Sequence, residues 1–161
     1  MRQKHFFIVI IATLFSIQSF SQIELGGTCG LGISNNIFSC DVAPELTYTT
    51  FDHLKFGVSP FVLYNKDMSY DYWSMVYGGR VYAEYQFDFN VFLHAEYEIS
   101  NISNSEGWSK TVTALPLGIG GVTNLTERTA AYVLILYDVL YDETYAVRTN
   151  PTIRAGVRYK F

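Results

Sequence analysis

The stretch FNVFLHAEYEIS, Phe89 to Ser100, has two opposed faces. Phe89, Val91, Leu93, Ala95, Tyr97 and Ile99 fall at one parity, and Asn90, Phe92, His94, Glu96, Glu98 and Ser100 at the other. Side chains of a β-strand alternate across the sheet, so period two predicts a strand with one apolar face and one face of titratable groups. A water-soluble barrel turns its apolar face inward. A membrane barrel reverses this, with apolar side chains toward lipid and polar ones inside. The rest of the chain decides between the two.

Aromatic residues make up 17% of the 161 residues and charged residues only 16%, below the roughly 25% of an average soluble domain. Tyr and Trp gather where apolar material meets water. The formal charge of −4 excludes nucleic acid as a partner, because no basic patch exists to neutralise phosphates. Residues 1–21 form a separate segment. Arg2 and Lys4 precede the apolar run FFIVIIATLF (Phe6–Phe15), and small residues at Ser19 and Ser21 fit a peptidase cutting before Gln22. The run is shorter than the ~20 residues of a spanning helix, so it reads as a cleaved signal-peptide helix. The remainder, 22–161, is expected to form one domain.

Alternation recurs along that remainder, broken by Asn, Asp, Gly and Ser clusters. Eight strands are predicted: 23–34, 38–51, 54–64, 74–87, 89–101, 109–122, 129–141 and 152–161. Most reach the ~9–11 residues of a tilted bilayer crossing. Connections after even-numbered strands (52–53, 88, 123–128) are short. Those after odd-numbered strands (35–37, 65–73, 102–108, 142–151) are longer, the first excepted, which is the asymmetry of outer-membrane barrels. Outward aromatics should form two girdles, with Tyr48, Phe56, Tyr85, Phe87, Tyr159 and Phe161 low, and Tyr64, Tyr77, Tyr97, Tyr137 and Tyr141 high. Pro44, Pro60 and Pro116 lack a ladder donor, so bulges or projecting strand segments are expected there. Tyr132, Leu134, Leu136 and Leu140 fit the charged inner face poorly. The Gly-rich stretches GGTCGLG (26–32) and GIGG (118–121) precede no helix and no Lys-Ser/Thr, so they read as room for bulky inward neighbours.

An eight-stranded barrel is just wide enough for side chains to fill it. Charges inside must pair with each other or with trapped water. An odd-length turn at Asp88-Phe89-Asn90 sets Glu84 opposite His94, Tyr82 opposite Glu96 and Arg80 opposite Glu98. The last segment, TIRAGVRYKF (152–161), adds Arg154, Arg158 and Lys160 to the inner face, with Arg158 or Lys160 near Glu24 across the closing seam. The expected interior network is Glu24, Glu45, Arg80, Glu84, His94, Glu96, Glu98, Arg154, Arg158 and Lys160. A turn at Ser34-Asn35 sets Cys29 opposite Cys40, within reach of a disulfide. A turn at Asn35-Asn36 separates them diagonally and avoids placing Glu24 opposite Glu45.

The segments APELTYTTFDHLKFGVSPFVLY (43–64), GGRVYAEYQFDFNVFLHAEYE (78–98) and LYDVLYDETYAVRTNPTIRAGVRYKF (136–161) resemble the small outer-membrane β-barrel proteins of Gram-negative bacteria, the porin-like, OmpA/OmpX-type barrels. The resemblance implies export to the outer membrane and contact there with lipid and lipopolysaccharide. It also implies recognition of Val157, Tyr159 and Phe161 by the barrel-assembly machinery. It names no activity. No nucleophile elbow or Ser-His-Asp ordering is present. The His-x-Ser of lipid A deacylases is absent, since His94 is followed by Ala95 and Glu96. Calcium between Asp67, Asp71, Asp142 and Glu143 has no supporting spacing. The reading is therefore an all-β, eight-stranded, antiparallel up-and-down transmembrane barrel without cofactor, metal or catalytic residues, expected to be a monomer. Its expected role is structural or interactive, with Tyr70, Tyr72, Trp73, Trp108 and Tyr145 as loop contacts. Alternatives are a narrow solute or ion pore, a lipid A-modifying enzyme, and a soluble ligand-binding barrel.

Overall fold

The computed structural model describes residues 22–34, 37–51, 53–69, 73–104, 107–141, 148 and 150–161. The expected signal peptide, 1–21, lies outside them. Nine strand segments follow in order: β1 Ile23–Ser34, β2 Ile37–Phe51, β3 Leu54–Asp67, β4 Trp73–Gln86, β5 Val91–Asn104, β6 Ser109–Ala114, β7 Pro116–Asn124, β8 Thr129–Asp138 and β9 Thr152–Lys160. Strands β6 and β7 are halves of one stave. Both pair with β5 in a continuous register, Glu98↔Ala114 above the break and Ala95↔Leu117 below it. The break falls at Leu115, next to Pro116, which has no N–H to offer the ladder. Neighbours run β4-β3-β2-β1-β9-β8-β7-β5, and β4 pairs with β5. The sheet is therefore a closed barrel of eight antiparallel staves.

Two turns set the inner face. Ser34 pairs with Ile37, the register expected to separate the two cysteines. This register places Cys29 opposite Val42, Cys40 opposite Leu31, and Glu45 opposite Gly26. Between β4 and β5, Asn90 takes a left-handed φ of 63°, which Asn tolerates better than most residues. Phe87 N–H donates to Val91 O at 2.8 Å. That turn fixes Arg80↔Glu98, Tyr82↔Glu96 and Glu84↔His94.

The strand limits differ from expectation where side chains replace ladder partners. β8 stops at Asp138 rather than 141. Its carboxylate accepts from the N–H of Leu115 at 2.9 Å and of Leu140 at 3.0 Å. The Asn150 amide then pairs with the Asp138 backbone as a strand residue would, accepting from its N–H and donating to its C=O, each at 3.0 Å. Pro44 and Pro60 do not make bulges. The β2–β3 ladder runs to Val42↔Val62 and resumes at Leu46↔Val58 in the same register. The two prolines face each other in the gap, and neither supplies a donor. The register shift in this seam comes lower, between Thr49 and Phe51.

Burial is inverted relative to a soluble barrel. Val42, Leu46, Val58, Val62, Val81, Leu93, Ile99, Ile119, Val133, Ile135 and Val157 are exposed on the outer wall. Inside, Glu84 and Glu96 are 2% exposed and Glu98 1%. Such an arrangement is stable only where the outer solvent is lipid, so the molecule is a transmembrane barrel. Its interior is less uniformly charged than the alternation suggests. Ala43, Phe61, Leu63, Val76 and Ile102 form one buried apolar cluster, and Phe92, Tyr132, Leu134 and Leu136 another. Leu140 is exposed. Within GIGG, Gly120 leaves the space that the Phe92 ring occupies.

Candidate functional site

The inward residues build a chain of charged contacts along the lumen. Near the short-turn end, Arg158 of β9 reaches across the barrel. Its guanidinium donates to both Glu84 oxygens, at 2.5 and 2.8 Å, and to Glu45 Oε2 at 3.3 Å. It lies 4.2 Å over the Tyr132 ring and 5.8 Å from that of Tyr82. Arg suits this position, because its planar fork can stack on a ring and grip a carboxylate at once. Tyr132 Oη donates to Glu45 Oε2 at 2.7 Å, and Tyr82 Oη shares a 2.7 Å bond with Thr47 Oγ1.

His94 stands at the centre. Its Nδ1 lies 2.8 Å from Glu84 Oε1 and its Nε2 3.1 Å from Glu96 Oε2, while its ring stacks on Tyr82 with centroids 5.2 Å apart. Beyond it, Arg154 Nη1 contacts both Glu96 oxygens at 2.9 Å and Nη2 lies 3.8 Å from Glu98. Arg148, from the segment between β8 and β9, donates from Nη1 to Glu98 at 2.8 Å and lies 3.5 Å from Asp41 through Nη2. Its guanidinium rests 4.7 Å from the Phe61 ring. The chain thus runs from Glu45 through Arg158, Glu84, His94, Glu96, Arg154, Glu98 and Arg148 to Asp41. These contacts are charge-assisted and sit in a low-dielectric interior, where removing one partner strands another.

Of the residues anticipated inside, Glu24, Glu45, Arg80, Glu84, His94, Glu96, Glu98, Arg154 and Arg158 are all buried. Lys160 is not. It is exposed on the rim, and Lys55 of β3 takes Glu24 instead, at 2.8 and 3.0 Å. Lys160 faces Glu24 only in backbone register, at the last position of β9, where its side chain already meets solvent. Arg80 faces Glu98 in register but forms no ion pair with it among the described residues. Asp41 and Lys55 lie at the inward parity of their strands and were legible by alternation. Arg148 lies in a loop, where no periodicity could mark it.

Other anticipated positions scatter. Cys29 and Cys40 are free thiols. Val157, Tyr159 and Phe161 point outward, with the last two rings edge to face at 5.3 Å. Trp73 and Trp108 are exposed near the long-loop end. Tyr70, Tyr72 and Tyr145 lie outside the described residues. The carboxylates of the network are occupied by guanidinium groups, and among the described residues no cluster of His, Cys, Asp or Glu is arranged to hold a metal ion. Among the described residues the hydrogen-bond partners of His94 are Glu84 and Glu96, not a hydroxyl or thiol.

Solved structures similar to this chain include Neisserial surface protein A, at 18% identity over 86% of this chain and 96% of that one, with a TM-score of 0.48. A de novo designed transmembrane β-barrel matches at 13% identity over 89% of this chain and 98% of that one, with a TM-score of 0.45. OmpT, an outer membrane protein of Vibrio cholerae, matches at 14% identity and a TM-score of 0.44; the match covers 89% of this chain and 53% of that one. No protein-family model matches the chain, and no curated protein matches it.

Proposed function

We propose that this chain is an outer-membrane barrel plugged by its own side chains, with a structural or interactive role exercised at its long-loop end and no catalysis. The observation that carries this reading is the continuous ion-pair chain from Glu45 to Asp41, which crosses the lumen several times. A cavity of about 240 Å³ opens at the short-turn end between Glu24, Lys55, Phe92, Arg128 and Lys160, and reaches the Arg158–Glu84 pair. Water can enter that far. Past the pair, the lumen is filled by Tyr82, His94, Glu96 and Arg154. The outer location is supported by the lipid-facing wall and by short turns opposing longer loops. The working surface is then the loop end, where Trp73 and Trp108 are exposed.

Planar-bilayer recording of refolded 22–161 tests the plug. A barrel that shifts mobility on heating, yet carries no current, is the expected result. Steady discrete steps would instead make the chain a pore. Mass spectra of lipid A from cells with and without the protein test the absence of catalysis, and any change in acylation would overturn it.

A further inference from the structure

His94 lies between two carboxylates, its Nδ1 2.8 Å from Glu84 Oε1 and its Nε2 3.1 Å from Glu96 Oε2. A neutral imidazole has one N–H, so one of the two contacts would set a ring lone pair against a carboxylate oxygen. Neither carboxylate is placed to carry the missing hydrogen. Arg158 of β9 donates to both oxygens of Glu84 and Arg154 to both oxygens of Glu96, and a guanidinium so placed holds the ionised form. Tyr82 of β4, which stacks on the ring and shares its hydroxyl with Thr47, brings no charge, and neither does Gly118 of β7, opposite in register. The balance of the lumen agrees. Among the described residues six carboxylates face five Lys and Arg side chains there, and an imidazolium is the sixth positive charge.

We infer that His94 is a proton-binding joint of the lumen, an imidazolium that donates to Glu84 and Glu96 together and exchanges its proton with the short-turn end. The side follows from the cavity there. Glu84 lines it, while His94 and Glu96 do not, so water reaches the carboxylate that Nδ1 serves. Nε2 points the other way, to Glu96, which is 2% exposed beneath Arg154. Loss of the Nδ1 proton to that water sets a lone pair against Glu84. The charged chain then parts at the ring, with Arg158 and Glu84 on one side and Glu96 and Arg154 on the other. That the parting opens the lumen rests on the plugged barrel proposed above; the protonation of the ring does not.

The test uses refolded 22–161 carrying His53→Gln at the exposed turn, which leaves His94 as the one imidazole of that segment. At neutral pH, NMR of the labelled ring should show a hydrogen on both nitrogens, with the one on Nδ1 exchanging with water faster than the one on Nε2. A ring nitrogen without hydrogen overturns the imidazolium. Equal rates, or a faster Nε2–H, overturn the exchange from the short-turn end. In planar bilayers the same protein should be silent at neutral pH and show discrete steps at the alkaline pH where the ring reads as neutral. Continued silence there overturns the joint. Steps at neutral pH from a ring that carries both hydrogens overturn the plugged lumen and leave the protonation of His94 standing. Wild type gives the same readings from two imidazoles, so a variant that fails to refold leaves the test intact.

Discussion

Glu96 holds two partners at once, Arg154 on one side and His94 on the other. Glu96→Gln keeps the volume and removes the charge, so it should destabilise the barrel by about 3–5 kcal/mol, the usual result of stranding a buried partner. Urea unfolding of the refolded variant measures this. A loss under about 1 kcal/mol would mean that the contacts behave as solvated surface pairs. Gly120 makes a steric prediction. A Cβ there meets the Phe92 ring, three of whose carbons lie too close for it. Gly120→Ala should cost about 1–3 kcal/mol, as overpacked cores do. The double variant Gly120→Ala/Phe92→Leu should recover part of that loss, since neighbours in contact are not additive. Strictly additive losses would show that the ring is not what the glycine accommodates. Residue by residue, inward parity revealed Glu84, His94, Glu96, Arg154 and Arg158, because a strand converts position into direction without further information. It extended wrongly to Lys160, since parity says nothing of where the lumen ends. It was silent on Arg148, which enters from a loop.

Among the strands, the β2–β3 seam carries a mid-ladder gap. Pro44 and Pro60 face each other with no donor on either side, and Ser59 Oγ approaches the Pro60 carbonyl only at 3.4 Å. Backbone groups in a bilayer have no water to turn to, so such a gap lowers the local cost of opening. Hydrogen exchange of the refolded barrel should show the amides of Val42, Leu46, Val58 and Val62 exchanging faster than those of Val81 and Tyr97. The latter lie in the β4–β5 seam, which pairs without a break. Equal protection in the two seams would mean that the flanking pairs hold the gap shut. The sequence located the prolines but not their opposition, which depends on the β2–β3 register and its shift between Thr49 and Phe51. Likewise β8 is read too long because the alternation through Tyr141 outlasts the pairing. Asp138 and Asn150 end it with side-chain bonds that no period encodes.

Across the whole molecule, the lumen sets six carboxylates, Glu24, Asp41, Glu45, Glu84, Glu96 and Glu98, against Lys55, Arg80, Arg148, Arg154, Arg158 and the central His94. The charges are near balance, so the interior can be packed tightly without a large self-repulsion, and packing rather than field closes the path. Removing members of the network should therefore do two things together. It should open a path, and its sign should set the selectivity of what passes, because charged side chains lining a pore select by charge. Arg148→Ala combined with Arg154→Ala empties the outer half of two cations and leaves Glu96, Glu98 and Asp41 lining it. Bilayer recordings should then show discrete steps, where wild type is silent, with reversal potentials favouring cations. Glu96→Ala combined with Glu98→Ala leaves Arg80, Arg148 and Arg154 facing the same space, and should favour anions instead. Steps without a change of selectivity between the two variants would place the conducting path outside the charge network, along the wall rather than through it. Silence from both, in barrels that still shift mobility on heating, would assign the closure to Phe61, Leu63 and Val76 and to the Tyr82–Tyr132 pair, with the charges as passengers of an aromatic and aliphatic plug.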